Sequence, residues 1–153
     1  MKDIRIRRAE AADLAAIHAL VGELAAYEKA ADQFTATLAD YERDFAAGIF
    51  ESSIAEHQGE IVGMTIYYMS YSTWKGRMLY LEDFVVKQAW RQQGIGQLLF
   101  DAYLQRAREL ECRLAKWQVL DWNKPAIDFY RKNGALIEQQ WWNGKLFLDT
   151  SHI

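Results

Sequence analysis

A lone cysteine, Cys112, cannot close an internal bridge, which excludes the disulfide-stapled scaffolds and fits a reducing cytoplasm better than a secreted setting. No apolar run approaches the ~20 residues that a membrane-spanning helix needs. The basic start Met1–Arg8 lacks the apolar segment of a leader, so neither a secreted nor a membrane protein is expected. Basic residues are not in excess either. Eighteen Lys and Arg against 21 Asp and Glu give a net charge of -3, without the basic footprint of a nucleic-acid binder. The three histidines, His18, His57 and His152, share no metal-ligand spacing with Cys112, so no metal is expected. Cys112 lies between Glu111 and Arg113 with no base beside it, and reads as an inert thiol.

The chain has one proline and nine glycines among 153 residues, so little of it is linker. Its length and 51% hydrophobic content predict one domain over residues 1–153 with a core of its own. Ile4–Arg7 alternates as a short strand, and Leu14, Ile17, Val21, Leu24 and Tyr27 recur at helical spacing, with Asp13 near the positive helix end. Thr37–Asp40 has the capping-box pattern and opens a second helix that stops at Gly48. Ser53–His57 and Ile61–Tyr71 form a hairpin across Gln58-Gly59-Glu60. Met78–Val86 reads as a central strand covered on both faces and interrupted by two carboxylates. An amphipathic helix around Leu98–Ala107 and a strand over Leu114–Leu120 follow. A further helix runs from Pro125 to its cap at Asn133-Gly134, and a hairpin of Gln139–Trp142 with Lys145–Asp149 folds about Asn143-Gly144. The expected fold is α+β, a mixed α/β layer with a largely antiparallel sheet and one parallel strand-helix-strand crossover spanning Arg91–Leu110.

The most informative segment is Arg91-Gln92-Gln93-Gly94-Ile95-Gly96-Gln97. A strand entering a glycine turn and then a helix gathers free amides and the positive dipole end at one spot, a ready anion site. The spacing is neither the dinucleotide fingerprint nor the P-loop. Taken alone, Gly94 and Gly96 fit a tight turn with no ligand better than a ligand site.

In context, Arg-x-x-Gly-x-Gly after Leu-Tyr-Leu-Glu-Asp-Phe-Val-Val resembles the acetyl-coenzyme-A loop of the GNAT acetyltransferase superfamily, and Trp122–Ala135 resembles its second cofactor segment. Tyr27-Glu28, Tyr67-Tyr68, Tyr71 with Trp74, Leu79–Phe84 and Trp122–Tyr130 together resemble the diamine branch, which holds the spermidine/spermine and thialysine acetyltransferases. The resemblance covers nearly the whole chain. It implies acetyl-CoA as co-substrate, a small-molecule primary amine as acceptor, and a homodimer. It also implies cofactor contacts from Phe84, Val85, Val86, Arg91, Gln92, Gln93, Gly94, Ile95, Gly96, Gln97, Asn123, Pro125 and Ala126. Acceptor contacts would come from Tyr27, Glu28, Trp74, Glu82, Asp83, Trp117 and Trp142.

An amine with a pKa near ~10.4 is protonated at neutral pH, so attack on a thioester needs a proton taken from the ammonium and one given to the thiolate. The resemblance assigns the first task to Glu82 and the second to Tyr130. Side chains alternate along a regular strand, so Glu82 and Asp83 share a site only if the strand is bulged there. The polyamine pattern is incomplete: Lys29-Ala30-Ala31-Asp32 and Trp141-Trp142 stand where more acid is expected, which shifts weight toward a shorter, lysine-like acceptor. A bis-tryptophan binds cations through its ring faces or simply packs in the terminal hairpin. A coenzyme-A-binding module without turnover and a protein-acetylating enzyme stay as alternatives.

Overall fold

The computed structural model describes residues 3–148. The chain divides into two compact units, one up to Trp117 and one from Gln118 on. The first holds a five-stranded sheet in the order β1-β2-β3-β4-β5, built from Ile4–Arg8, Glu51–His57, Glu60–Ser72, Gly76–Val86 and Leu114–Trp117. Neighbours are antiparallel except β4 and β5, which run parallel because α3 (Ile95–Glu109) crosses between them. The expected fold class is therefore the observed one.

Alternation places helices on both faces of this sheet. Ile54, Met64, Ile66 and Val85 point to α1 (Leu14–Tyr27), burying Leu14, Ile17, Leu20 and Val21. Each such side chain contributes roughly 1.5–3 kcal/mol when fully buried. α2 (Leu38–Ala46) packs on the same face through Leu38, Tyr41 and Phe45, and Thr37 caps it by accepting from the Asp40 amide at 3.1 Å. On the opposite face Ala55, Val62, Phe84 and Val86 meet Ile95 and Leu99 of α3. The Tyr103 hydroxyl of α3 donates to the Leu79 carbonyl. At Gly63 an added Cβ would stand 3.1 Å from both the Val85 carbonyl and Leu99, so the close approach of helix and strands requires glycine there.

Asp13 does more than face a helix dipole. The Arg7 guanidinium grips its carboxylate with two bonds of 2.9 Å and also reaches Glu56 at 3.2 Å, tying β1 to β2 and to the start of α1. This pairing holds the Asp13 carboxyl below the usual range.

Two expectations need correction. The strand over Leu114–Leu120 ends at Trp117, because the Leu120 and Trp122 carbonyls accept from the Asn123 and Lys124 amides in a turn leading to α4 (Lys124–Lys132). The hairpin about Asn143-Gly144 is not formed among the described residues; residues 135–148 carry no strand. Neither Asn143 nor Gly144 is among the residues with positive φ that the expected turn requires. The Asn143 side chain instead accepts from Gln118 at 2.7 Å, and Trp141, Leu146 and Leu148 are exposed. A two-stranded ribbon alone is marginal in water. Asp149 and His152, which also figured in the sequence reading, lie outside the described residues.

Candidate active site

Register fixes the site. Along β3 and β4 the pairing runs Ile66 with Asp83, then Tyr67 with Leu81, so Glu82 is an extra residue without an opposite partner. A bulge of this kind cancels one step of the alternation. Tyr80 and Glu82 face the side of Tyr68: the two tyrosine rings stack at 5.5 Å, and the Tyr68 hydroxyl donates to Glu82 Oε1 at 2.8 Å. Past the bulge, Asp83 lies on that same side, since Val85, two residues on, packs against α1. The condition that the sequence set for a shared site is met.

Electrostatics follow from this crowding. Burial, then the charges of Glu82 and Glu28, push the Asp83 carboxyl up to about 7. Burial alone raises Glu28, the residue just after α1. Tyr41 of α2 is pushed up to about 12 by burial and by Asp83 and Glu82, and Tyr80 rises for similar reasons. Several sheet acids and Asp13 are matched internally: Asp13 and Glu56 by Arg7, Glu51 by Arg106, Glu60 by Lys87. No ion pair among the described residues involves Glu28, Glu82 or Asp83. Carboxylates such as Glu28 and Asp83, partly desolvated and in no ion pair among the described residues, are costly unless a cationic ligand is their partner.

Beside them lies an open strand edge. The parallel pairing of β4 with β5 stops at Leu81–Trp117, so Glu82–Val86 have no strand of the described residues on that side. Immediately beyond, Gln92 and Gly94 adopt left-handed φ values of 62° and 84° and turn the chain into α3. No side chain caps α3, whereas Thr37 caps α2 and Asn123 caps α4. A strand edge open beyond Leu81, running into a helix N-terminus without a side-chain cap, fits an extended ligand that ends in a phosphate. Arg91 holds the corner, donating from Nε to the Val86 carbonyl at 2.9 Å while its guanidinium lies 5.5 Å from the Tyr27 ring centre.

A search of protein families finds the acetyltransferase (GNAT) family over residues 14–135. The chain belongs to the GNAT acetyltransferase family. Among its GNAT relatives, a thialysine N-epsilon-acetyltransferase of Bos taurus is 39% identical, over 94% of this chain and 91% of the relative. A spermidine/spermine N(1)-acetyltransferase-like protein of Homo sapiens is 37% identical over 89% of this chain, though only 21% of that longer protein. Solved structures share the fold. An aminoglycoside acetyltransferase from an uncultured soil metagenomic sample, in complex with sisomicin, aligns with a TM-score of 0.80 at 22% identity over 96% of this chain and 97% of its own. An aminoglycoside N-acetyltransferase in complex with CoA aligns at 0.76 and 21% identity, over 93% and 94%. The protein is an amine N-acetyltransferase.

Within this GNAT chain the expected site residues fall into groups. Tyr27, Glu28, Glu82, Asp83, Phe84–Val86 and the 91–97 loop all belong to the first unit. Asn123, Pro125, Ala126, Tyr130 and Trp142 belong to the second, where Asn123 Oδ1 accepts from the Ala126 amide at 3.3 Å, Pro125 sits in the first turn and Tyr130 is buried. Trp117 packs edge-on against Phe100, on the α3 face and away from the carboxylates. Trp74 is 88% exposed at the β3–β4 turn, roughly 20 Å along the strand from Glu82 at about 3.3 Å per residue. Tyr68, Tyr80 and Tyr41 were missing from the sequence-based site. The period-two match of Tyr80 to Glu82 was a usable signal for Tyr80; Tyr41 needed the fold.

Proposed function

We propose that this enzyme transfers the acetyl group of acetyl-CoA directly to a primary amine of a small diamine or lysine-like amino acid such as thialysine. The observation that carries the reading is the set of carboxylates, Glu28, Glu82 and Asp83, in no ion pair among the described residues and beside the open edge of β4. A protonated amine supplies the missing positive charge, and the names of the relatives agree with that acceptor class.

Acetyl-CoA brings the activated thioester. The β4 amides of Phe84–Val86 bind the pantetheine arm and polarise the thioester carbonyl. The turn of Arg91, Gln92, Gln93, Gly94, Ile95, Gly96 and Gln97 receives the diphosphate, with Asn123, Pro125 and Ala126 as further cofactor contacts. Glu82 accepts the proton of the ammonium, freeing the nitrogen lone pair to attack, and the Tyr130 hydroxyl returns a proton to the departing sulfur. Tyr27, Glu28 and Asp83 hold the cationic acceptor, with Trp74, Trp117 and Trp142 as outlying contacts. The family match crosses from one compact unit into the other, which supports a single acetyltransferase domain over residues 1–153. We further propose a cytoplasmic homodimer, checked by light scattering on the purified chain.

Thiol release from acetyl-CoA, measured against putrescine, spermidine, spermine, thialysine, lysine and a short peptide, tests the assignment. Acceptor-dependent release with thialysine or a diamine is expected, with one added acetyl group on the product by mass spectrometry. Acetyl-CoA binding without release for any amine contradicts it.

A further inference from the structure

The bulge that brings Glu82 and Asp83 to one face also creates a problem of assignment. Two adjacent carboxyls that repel one another need something to decide which oxygen meets the amine. The charge of Glu82 acts on Tyr80 and Asp83 on β4, Tyr68 on β3 and Tyr41 on α2, while Glu28 at the end of α1 acts on Asp83 and the Arg91 guanidinium lies over the Tyr27 ring. Among the hydrogen bonds described for Glu82, the donor is Tyr68. Its ring is held by the stack on Tyr80, so the hydroxyl arrives from a fixed direction.

We propose that Tyr68 is a positioning residue of the acetyl transfer: its hydroxyl holds Glu82 by Oε1 and leaves Oε2 to take the ammonium proton. The inference rests on the acetyltransferase reading above. The step balances simply, the ammonium N–H bond breaking as the Oε2–H bond forms, with no other reactant. A hydrogen bond donated to a carboxylate favours its charged form, and the neighbouring Asp83 carboxyl is pushed up to about 7. Burial and the bond to Glu82 together raise Tyr68 well above the usual tyrosine range, so the hydroxyl stays a donor throughout.

Tyr68→Phe keeps the stack and removes the bond. The expected result is a fall in kcat of about 10- to 100-fold from the loosened base. The limb of the kcat/KM profile that rises with pH moves up by about half a unit or more, with KM for acetyl-CoA and Tm nearly unchanged. Placing 3-fluorotyrosine at position 68, nearly isosteric with a more acidic hydroxyl, moves that limb down and covers the case where the phenylalanine variant folds poorly. An unmoved limb in either protein overturns the inference, including when activity falls together with Tm. Wild-type enzyme that releases thiol with no amine overturns the acetyltransferase reading itself.

Discussion

Asp83 is the residue whose chemistry is most tightly bound to its place in the fold. Its carboxyl keeps a proton up to about pH 7 in the folded chain but loses it near the ordinary value of 3.8 once unfolded. The folded state therefore binds more protons between those limits, and this group's contribution to stability falls as pH rises through the window. Asp83→Asn should match wild type in Tm near pH 4 and exceed it by several degrees above pH 7. A gain independent of pH contradicts the assignment. Asp13 works in the opposite sense, since Arg7 lowers its folded-state value and its stabilisation is lost as pH falls. Removing that partly buried partner by Asp13→Ala should cost about 3 kcal/mol in urea denaturation at pH 7. Tyr130→Phe isolates the proposed acid: kcat should fall about 100-fold or more with Tm held.

Among the elements, β4 carries the account. An extra residue at Glu82 and a partner strand that stops at Trp117 together give this strand carboxylates on one face and an open edge beyond Leu81. Gly63 keeps helix α3 close to this strand, and Gly63→Ala should destabilise the fold by about 1–3 kcal/mol, read by denaturant titration. Much of this was legible in the sequence because local rules govern it. The capping box at Thr37, the Gln58-Gly59 turn and the glycine entry to α3 each depend on a few adjacent residues. The bulge was foreseen only as a condition, because register between β3 and β4 is set by pairing across the sheet. The end of β5 at Trp117 and the unformed turn at Asn143-Gly144 were misread for the same reason. Val119 and Leu120 have strand propensity, but backbone bonds toward α4 take that stretch out of the sheet.

At the scale of the molecule, a net charge of -3 says little until its distribution is known. Several acids on the sheet and helices are matched by arginine or lysine, whereas the adjacent Glu82 and Asp83 on one face of β4 are in no ion pair among the described residues. No helix among the described residues is long and apolar enough to cross a membrane. The two aminoglycoside acetyltransferases share the fold at about one-fifth identity, so the scaffold alone does not choose the amine. We propose that this choice rests with Tyr27, Glu28, Glu82 and Asp83. The most direct test of the central claim, that Glu82 receives the proton of a cationic amine, is the pH dependence of kcat/KM for thialysine in wild type and in Glu82→Gln. The rising limb should be present in wild type and displaced or lost in the variant, with a large drop in kcat and unchanged acetyl-CoA affinity; superimposable profiles would contradict the account.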